Sequence, residues 1–149
     1  MDTFDHLSRA DWMSLLAQVD AAELATAMEP LTPPADSISW LRPAQTGLYM
    51  LRGRVGGTGP QFNLGEVSVT RCSVQIRGRI GHAWVRGGNA RHAELAACAD
   101  ALMQDVEQRS QLQVRVVEPL RQSMKRSREA ASRKAAASKV EFFTVVRGA

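Results

Sequence analysis

A glycine-rich stretch near the middle of the chain is the first candidate for chemistry. Residues 56–65 read GGTGPQFNLG, and closely spaced glycines let backbone amides approach a phosphate. A P-loop would also need Gly-Lys-Ser/Thr, which is missing here, and Phe62 stands where a dinucleotide fingerprint has its third glycine. The sequence predicts either a plain connecting loop or one that contacts an anion or another chain through Gly56, Gly57, Thr58, Gly59 and Phe62.

Two further residues are candidates for direct contact with a substrate. His92 and Glu94 form an H-x-E pair, but zinc deaminases with this pair also need P-C-x-x-C, and here Cys98 stands alone. We therefore predict no metal site and interpret His92 first as a helix-start residue at an interface. Arg71 lies in an otherwise neutral strand, where a guanidinium can bind phosphate. The catalytic hypothesis is that Arg71 and His92 meet substrate phosphates in a shared cleft.

The rest of the chain offers no second set of catalytic groups. It contains no G-x-S-x-G motif and no credible Ser-His-Asp set. With 149 residues and 16.3 kDa it is predicted to form a single domain over residues 1–149. It has no apolar run of about 18 residues and no export-signal pattern, so a cytoplasmic protein without membrane contact is expected. Cys72 and Cys98 are expected to be buried and reduced.

The elements that position these residues are predicted to be helices at the N-terminus and then strands. Ser8 and Asp20 each precede an apolar stripe and are predicted to cap helices, the second of which ends near Pro30. From Ser37 to Val85 four mainly antiparallel strands are expected, with a tight hairpin at Arg77-Gly78. In the third strand the apolar residues change from odd to even positions near Thr70. Either a bulge reverses the facing there or both faces are covered.

The second half of the chain is predicted to be mostly helical. Asn89 caps a helix with a stripe of Leu95, Cys98, Leu102 and Val106. Residues 112–117 fit a strand and a helix equally well, so periodicity leaves them open. Pro119 begins a helix toward Lys139, and the ending VEFFTVVRG is predicted to be a strand that returns to the sheet. The expected fold is α+β: N-terminal helices, a central sheet of four to five strands including that C-terminal strand, and two long helices packed on it.

Charge is distributed unevenly along the chain. Residues 1–30 hold six acids against one arginine, whereas residues 109–139 hold nine bases against two glutamates. The basic helix is either a solvated face or a surface for nucleic acid, a polyphosphate or an acidic partner. Nucleic acid is the weaker functional option because no aromatic residue interrupts the basic run to stack on bases. A nucleic-acid-binding or adaptor module nevertheless stays as the alternative function.

Five segments, taken in order, carry a resemblance to a known family. They resemble the PhnG family of subunits of the bacterial carbon-phosphorus lyase core complex, from about Trp12 to Gly148. Each piece alone is weak, but the glycine loop, the H-A-E helix and the F-F-T ending are specific in combination. The segments read DWMSLLA, TGLYMLRGRVGGTGPQFNLGE, VTRCSV, RHAELAACADALMQ and VEFFTVVRG.

The resemblance implies a function that composition alone does not indicate. It implies assembly with PhnH, PhnI, PhnJ and PhnL-type subunits, with two copies of each core subunit. With ATP and magnesium as substrate, the complex transfers ribose triphosphate to methylphosphonate and releases adenine. In the family the nucleosidase chemistry is assigned to PhnI and the later radical cleavage to PhnJ. This chain alone is then expected to bind no cofactor and to support catalysis structurally.

Overall fold

The computed structural model describes residues 7–147 and the side chains of residues 7–138. Two short helices, a three-stranded sheet and a helical second half follow one another along the chain. A single turn of 3-10 helix precedes the first strand, and another lies between the first two strands. The main elements are α1 Arg9–Gln18, α2 Ala21–Met28, β1 Ile38–Arg54, β2 Gln61–Ile76, β3 Arg79–Arg86, α3 Ala90–Met103, α4 Val106–Leu112, a π-helical segment Gln113–Val117, and α5 Glu118–Arg147.

The N-terminal helices begin where the sequence predicts. Ser8 and Asp11 form a capping box at α1, and the Asp20 carboxylate accepts a hydrogen bond from the Glu23 amide at 3.1 Å in α2. These caps satisfy amides that a helix start leaves free. The apolar stripes of both helices, including Leu16 and Leu24, are buried in the core. The prediction of two N-terminal helices is confirmed.

The sheet has fewer strands than the sequence predicts. Its order is β1-β2-β3, fully antiparallel, and both connections are hairpins. Two predicted strands are one 17-residue strand, β1, whose pairing with β2 shifts register on both sides of Arg42. Pro43 sits in this irregular part, where an outer strand tolerates a missing amide. The Arg77-Gly78 turn is confirmed, with φ of 52° and 80° at its two residues.

Strand β2 keeps a regular alternation through its second half. Thr70, Cys72, Val74 and Ile76 are buried against the helices, whereas Val67 and Val69 lie half-buried on the opposite face. Pairing with β3 has no register shift at residues 70 and 71, and the shift in the β1 pairing beside Arg71 places the extra residue in β1, between Arg42 and Gln45. The predicted bulge in β2 is therefore wrong. The alternative, coverage of both faces, holds only in part because the second face is half-exposed.

Helix α3 covers the buried face of the sheet. Asn89 caps it as predicted, with its side chain accepting from the His92 amide at 3.0 Å. A side-chain carbon at Gly81 would meet the Ala97 carbonyl oxygen and come within 2.5 Å of the Ala101 amide nitrogen, so only glycine permits this approach. Leu95, Cys98 and Leu102 are buried, but Val106 belongs to the next helix, α4.

The C-terminal third differs most from prediction. Residues 112–117 are helical, and the Glu118 amide donates to the Gln113 carbonyl five residues back. The C-terminal strand is wrong as predicted, because α5 continues as a helix through residues 140–147, while residue 148 lies outside the described residues. Helix α5 does not pack on the sheet either, since residues 125–138 are exposed and only its first turns reach the core. Of the two long helices, only α3 covers the sheet.

Candidate functional site

His92 lies in the first turn of α3 and is buried among structural groups. Its ring Nε2 lies 2.8 Å from the carbonyl oxygen of Leu16 in α1, and its side chain is only slightly exposed. Its neighbour Glu94 points elsewhere and forms an ion pair of 3.4 Å with Arg91. These contacts give His92 a role in joining α3 to α1, and its catalytic role stays a prediction.

Arg71 lies on the opposite side of the sheet from α3. Its guanidinium carbon sits 5.6 Å from the centre of the Trp84 ring, a cation-π contact, and Tyr49 meets the same ring edge-on at 5.8 Å between centroids. Because Cys72 faces the helices, its neighbour Arg71 faces away from them. The sheet therefore separates Arg71 from His92, and the structure does not bring the two predicted catalytic residues together.

The glycine loop forms the tip of the β1-β2 hairpin. Gly56 and Gly57 have φ of 62° and 82°, which favour glycine, and a side-chain carbon at either would meet nothing within 4 Å. Gly59 is required for another reason, since its added carbon would come within 2.6 Å of the Val55 carbonyl oxygen. Its amide donates to that carbonyl at 2.8 Å. The loop thus closes a long hairpin, and its role toward an anion or a partner stays a prediction.

The hairpin extends well beyond the rest of the domain. Its outer part, residues 47–68, is here called the hairpin arm, because β3 pairs with β2 only over residues 69–76. At its base the Thr70 hydroxyl donates to the Gly87 carbonyl at 2.6 Å and lies 2.8 Å from the Thr46 hydroxyl. Six large apolar side chains of the arm are exposed: Leu48, Met50, Leu51, Val55, Phe62 and Leu64.

This exposure points to a covered surface in the working protein. A two-stranded hairpin is marginally stable by itself in water, and large exposed apolar patches mark interaction sites. Leu48 is 69% exposed although it lies in a regularly paired part of β1, and Leu64, the unpaired residue at a register shift in β2, is 62% exposed. Phe62, one of the predicted contact residues, belongs to the same surface. The arm is therefore the strongest candidate for a functional surface in the described residues.

A buried carboxylate organises the opposite end of the sheet. Asp100 of α3 is fully buried and accepts from the Trp12 ring nitrogen at 2.8 Å. It also accepts from the Arg9 side chain at 2.8 and 3.1 Å and from the His82 amide at 2.9 Å. The hydrogen bond to this carboxylate raises the pKa of Arg9. One side chain thus joins α1, α3 and β3.

Sequence reasoning missed Asp100, although two signals were present. It is the one charged residue in the apolar run of residues 95–103, and Arg9 is the one base among the acids of residues 1–30. A lone charge in a buried helix face calls for a partner of opposite sign. Composition gives no distance between them, so the pair itself needed the structure.

The two cysteines are buried, reduced and chemically quiet. Cys72 and Cys98 are free thiols at 1% and 2% exposure, as predicted. Burial raises the pKa of each thiol to about 11. A thiol with such a pKa is almost wholly protonated at neutral pH, which excludes either cysteine as a ready nucleophile.

Comparison with known proteins identifies the family. The family model described as "Phosphonate metabolism protein PhnG" matches residues 7–148. The chain belongs to the PhnG family. A relative named "Alpha-D-ribose 1-methylphosphonate 5-triphosphate synthase subunit PhnG", from Rhizobium meliloti (strain 1021), is 37% identical over 145 residues, which cover 94% of this chain and 89% of the relative. The predicted resemblance is confirmed, and PhnG membership connects the chain with phosphonate metabolism and with a multi-subunit enzyme.

The described part of this PhnG-family chain has neither a cluster of metal-binding side chains nor a membrane-spanning helix. Among the side chains that the structure describes, in residues 7–138, no group of three or more His, Cys, Asp and Glu residues is arranged to hold a metal ion. No helix in that range combines the length and apolar character needed to cross a membrane.

Proposed function

We propose that this chain is an assembly subunit of the synthase that makes α-D-ribose 1-methylphosphonate 5-triphosphate. In that role it supports transfer of ribose triphosphate from ATP, with magnesium, to methylphosphonate with release of adenine, in a cytoplasmic complex with PhnH, PhnI, PhnJ and PhnL-type subunits. The observation that carries the proposal is the hairpin arm, whose apolar side chains are exposed. The family name of its relative supports the reaction assigned to the complex.

The positions of the candidate catalytic groups favour a supporting role for this chain over a catalytic one. The two predicted catalytic residues lie on opposite sides of the sheet, and His92 is engaged with Leu16. The buried thiols are protonated at neutral pH, since their pKa is about 11. The arm instead offers an exposed apolar surface without a set of catalytic groups, and an assembly subunit needs such a surface to bind its partners.

The assembly test compares an arm variant with a matched surface variant. The chain is co-expressed with the other subunits, and the amount that co-purifies is measured. Leu48→Asp places a charge on the arm, whereas Val106→Asp does so at a position 72% exposed outside it. Recovery of the arm variant is expected to fall at least tenfold, because a charge would be buried without a partner. Equal recovery of both variants would contradict the proposal.

Activity of the assembled complex separates support from direct catalysis. Adenine release from ATP in the presence of methylphosphonate is expected to disappear when this chain is omitted. Arg71→Ala should leave turnover of the assembled complex within a few-fold of wild type if the role is structural. A loss of two orders of magnitude or more with intact assembly would instead support the catalytic hypothesis for Arg71.

A second candidate function rests on the exposed basic part of α5. All residues from 125 to 138 are exposed, and their charged members are five bases and Glu129. An adaptor contact with an acidic partner and binding to nucleic acid both use such a surface. Fluorescence anisotropy with a 30-base-pair duplex, at about 50 and 200 mM salt, tests the second. Salt-dependent binding at micromolar affinity would favour a nucleic-acid module over the synthase role.

A further inference from the structure

Strand β3 forms one outer edge of the sheet, and in half of that edge the outward backbone groups already have hydrogen-bond partners. Backbone groups of alternate residues point away from β2: the His82 amide donates to Asp100 at 2.9 Å and the Ile80 carbonyl accepts from Gln104 at 2.7 Å. Arg9 also donates to the Ile80 carbonyl, at 3.3 Å. Side chains from α1 and α3 therefore take the place of a fourth strand at Ile80 and His82.

The other half of the edge is open. The Gly87 amide donates to the Ser68 carbonyl at 2.8 Å. The backbone N–H and C=O groups of odd-numbered residues in β3 therefore point toward β2. By the same alternation the amide and carbonyl of Trp84 and the amide of Arg86 point outward. Among the described residues, with side chains described to residue 138, no group meets these three with a hydrogen bond. An open strand edge of this kind is a template for pairing with another chain.

A groove runs beside the open half of the edge. It has a volume of about 1010 Å³ and lies between β3 and the C-terminal part of α1. The wall opposite the strand is mixed: Met13 and Ala17 are apolar, whereas the exposed residues Ser14, Gln18 and Asp20 are polar. A groove with unpaired strand backbone groups on one side and both apolar and polar side chains on the other suits an extended peptide, which brings backbone and side-chain contacts together.

The charge near the open edge is mainly positive. Arg86 is exposed at the end of β3, and Arg71 stacks on Trp84 on the same face of the sheet. Asp20 is the one carboxylate that lines the groove in the described residues. A strand placed against Trp84 and Arg86 would therefore lie next to the Arg86 guanidinium, with Arg71 one strand further away behind Trp84.

We propose that the open half of the β3 edge pairs with an extended segment of another subunit of the complex. The segment adds a fourth strand beside Trp84, with apolar side chains toward Met13 and Ala17 and at least one acidic side chain toward Arg86. This inference rests on the proposed function, since it takes assembly with other subunits as given. The surface it uses is separate from the hairpin arm, which lies beyond the end of β3.

The test uses a substitution that removes an outward amide without touching the ladder to β2. Arg86→Pro deletes the outward N–H at the open edge, where proline is tolerated in a terminal strand position. Arg86→Ala keeps that amide and removes only the charge, so it is the matched control. Each variant is co-expressed with the other subunits, and the fraction incorporated into the complex and its dissociation rate are measured. Circular dichroism and the melting temperature of each isolated chain report whether it folds.

The two variants are expected to differ in how much they speed dissociation from the complex. Arg86→Pro should speed dissociation from the complex at least thirtyfold, and Arg86→Ala by about three- to tenfold, with both chains folded. Amide hydrogen exchange at Trp84 and Arg86 of the wild type should slow at least a hundredfold on assembly. The His82 amide, which is already bonded, should change little. If Arg86→Pro unfolds the chain, the exchange measurement on the wild type decides alone.

Other results overturn the inference in distinguishable ways. Unchanged exchange at Trp84 and Arg86 in the complex would refute it, and the proposed function would stand if the Leu48→Asp variant still failed to assemble. A dimer of the isolated chain that Arg86→Pro abolishes would assign the edge to a second copy instead of another subunit. Failure of the wild-type chain to join any subunit would refute the proposed function itself.

Discussion

The two halves of strand β2 differ in burial and in the number of strands that pair with them. Residues 70–76 are flanked by β1 and β3, and every second side chain is buried beneath α3. Residues 61–66 pair with β1 alone and are exposed on both faces. One continuous strand thus passes from the core into the hairpin arm. The comparison separates residues that hold the chain together from residues available to hold other chains.

The strongest test of this comparison removes the buried carboxylate at the core end. Asp100→Ala should lower the free energy of unfolding by about 3–5 kcal/mol, because it leaves Arg9 unpaired and the Trp12 ring N–H and the His82 amide without an acceptor. Urea unfolding followed by circular dichroism measures the change. Glu94→Ala, which breaks only a surface pair with Arg91, should cost less than about 1 kcal/mol. Equal costs would show that the core end is not organised by Asp100.

The next test adds a methyl group where β3 packs closely against α3. Gly81→Ala should destabilise the chain by up to about 3 kcal/mol, because its added carbon overlaps the backbone of α3 near Ala97 and Ala101. Gly88→Ala is the matched control, since an added carbon at residue 88 meets nothing within 4 Å and its φ is not positive. Thermal melting of the two variants should differ by several degrees. A similar melting point for both would mean that the helix moves aside freely.

The buried thiols predict how stability changes with pH. The pKa of Cys72 and Cys98 is raised to about 11 in the fold from an ordinary value of 9.0. The protonated thiol is thus favoured in the folded chain, so the stabilisation is complete below pH 9 and declines as the pH rises toward 11. About 3 kcal/mol of stability per thiol depends on this shift, because it spans two pKa units at about 1.4 kcal/mol each.

Urea unfolding at pH 8, 9, 10 and 11 measures this decline. Other groups also titrate in this range, so the Cys98→Ala variant provides the comparison. Its loss of stability between pH 9 and 11 should be smaller than that of the wild type by the contribution of one thiol. Identical slopes for the two chains would contradict the assignment of this pH dependence to the buried thiols.

The smallest effect on stability is expected in the hairpin arm. Leu48→Asp should change the free energy of unfolding by no more than about 0.5 kcal/mol in the isolated chain, because Leu48 is 69% exposed there. Hydrogen exchange should agree, with amides of residues 61–66 opening far more easily than those of residues 72–76. Exchange at equal rates along β2 would remove the distinction between its two halves.

Local signals in the sequence predicted the elements with clear caps and turns. Ser8, Asp20 and Asn89 each precede a helix as expected, and the Arg77-Gly78 turn lies where two residues with positive φ are needed. Capping and turn formation depend on neighbouring residues alone. Such elements can therefore be identified without knowledge of the rest of the chain.

Tertiary context decided the elements that were predicted wrongly. Two of the four predicted strands form the single strand β1, because Pro43 lies in the outer strand of the sheet, where no ladder amide is required. The ending VEFFTVVRG is rich in β-prone residues, yet residues 140–147 extend a helix that begins far upstream. Propensity over a few residues cannot outweigh a helix that is already formed.

The candidate site was harder to predict than the fold. The glycines of residues 56–59 were identified as a special loop, but their place at the tip of an extended arm depends on the length of two paired strands. The exposure of Leu48 and Leu64 could not be inferred either, because alternating apolar residues in a strand are normally buried. Which part of the hairpin leaves the core is determined by where β3 ends.

The π-helical segment before α5 has a consequence for the basic helix beyond it. Pro119 has no N–H, and its ring would clash with a carbonyl four residues back in a regular helix. The wider turn at Gln113–Val117 relieves this by adding one residue, and each residue of a helix corresponds to a rotation of about 100° about the axis. Without that extra residue, every basic side chain from Lys125 onward would be rotated by about 100° around the axis of α5. The extra residue in the π-helical turn thus determines which way the basic side chains of α5 point.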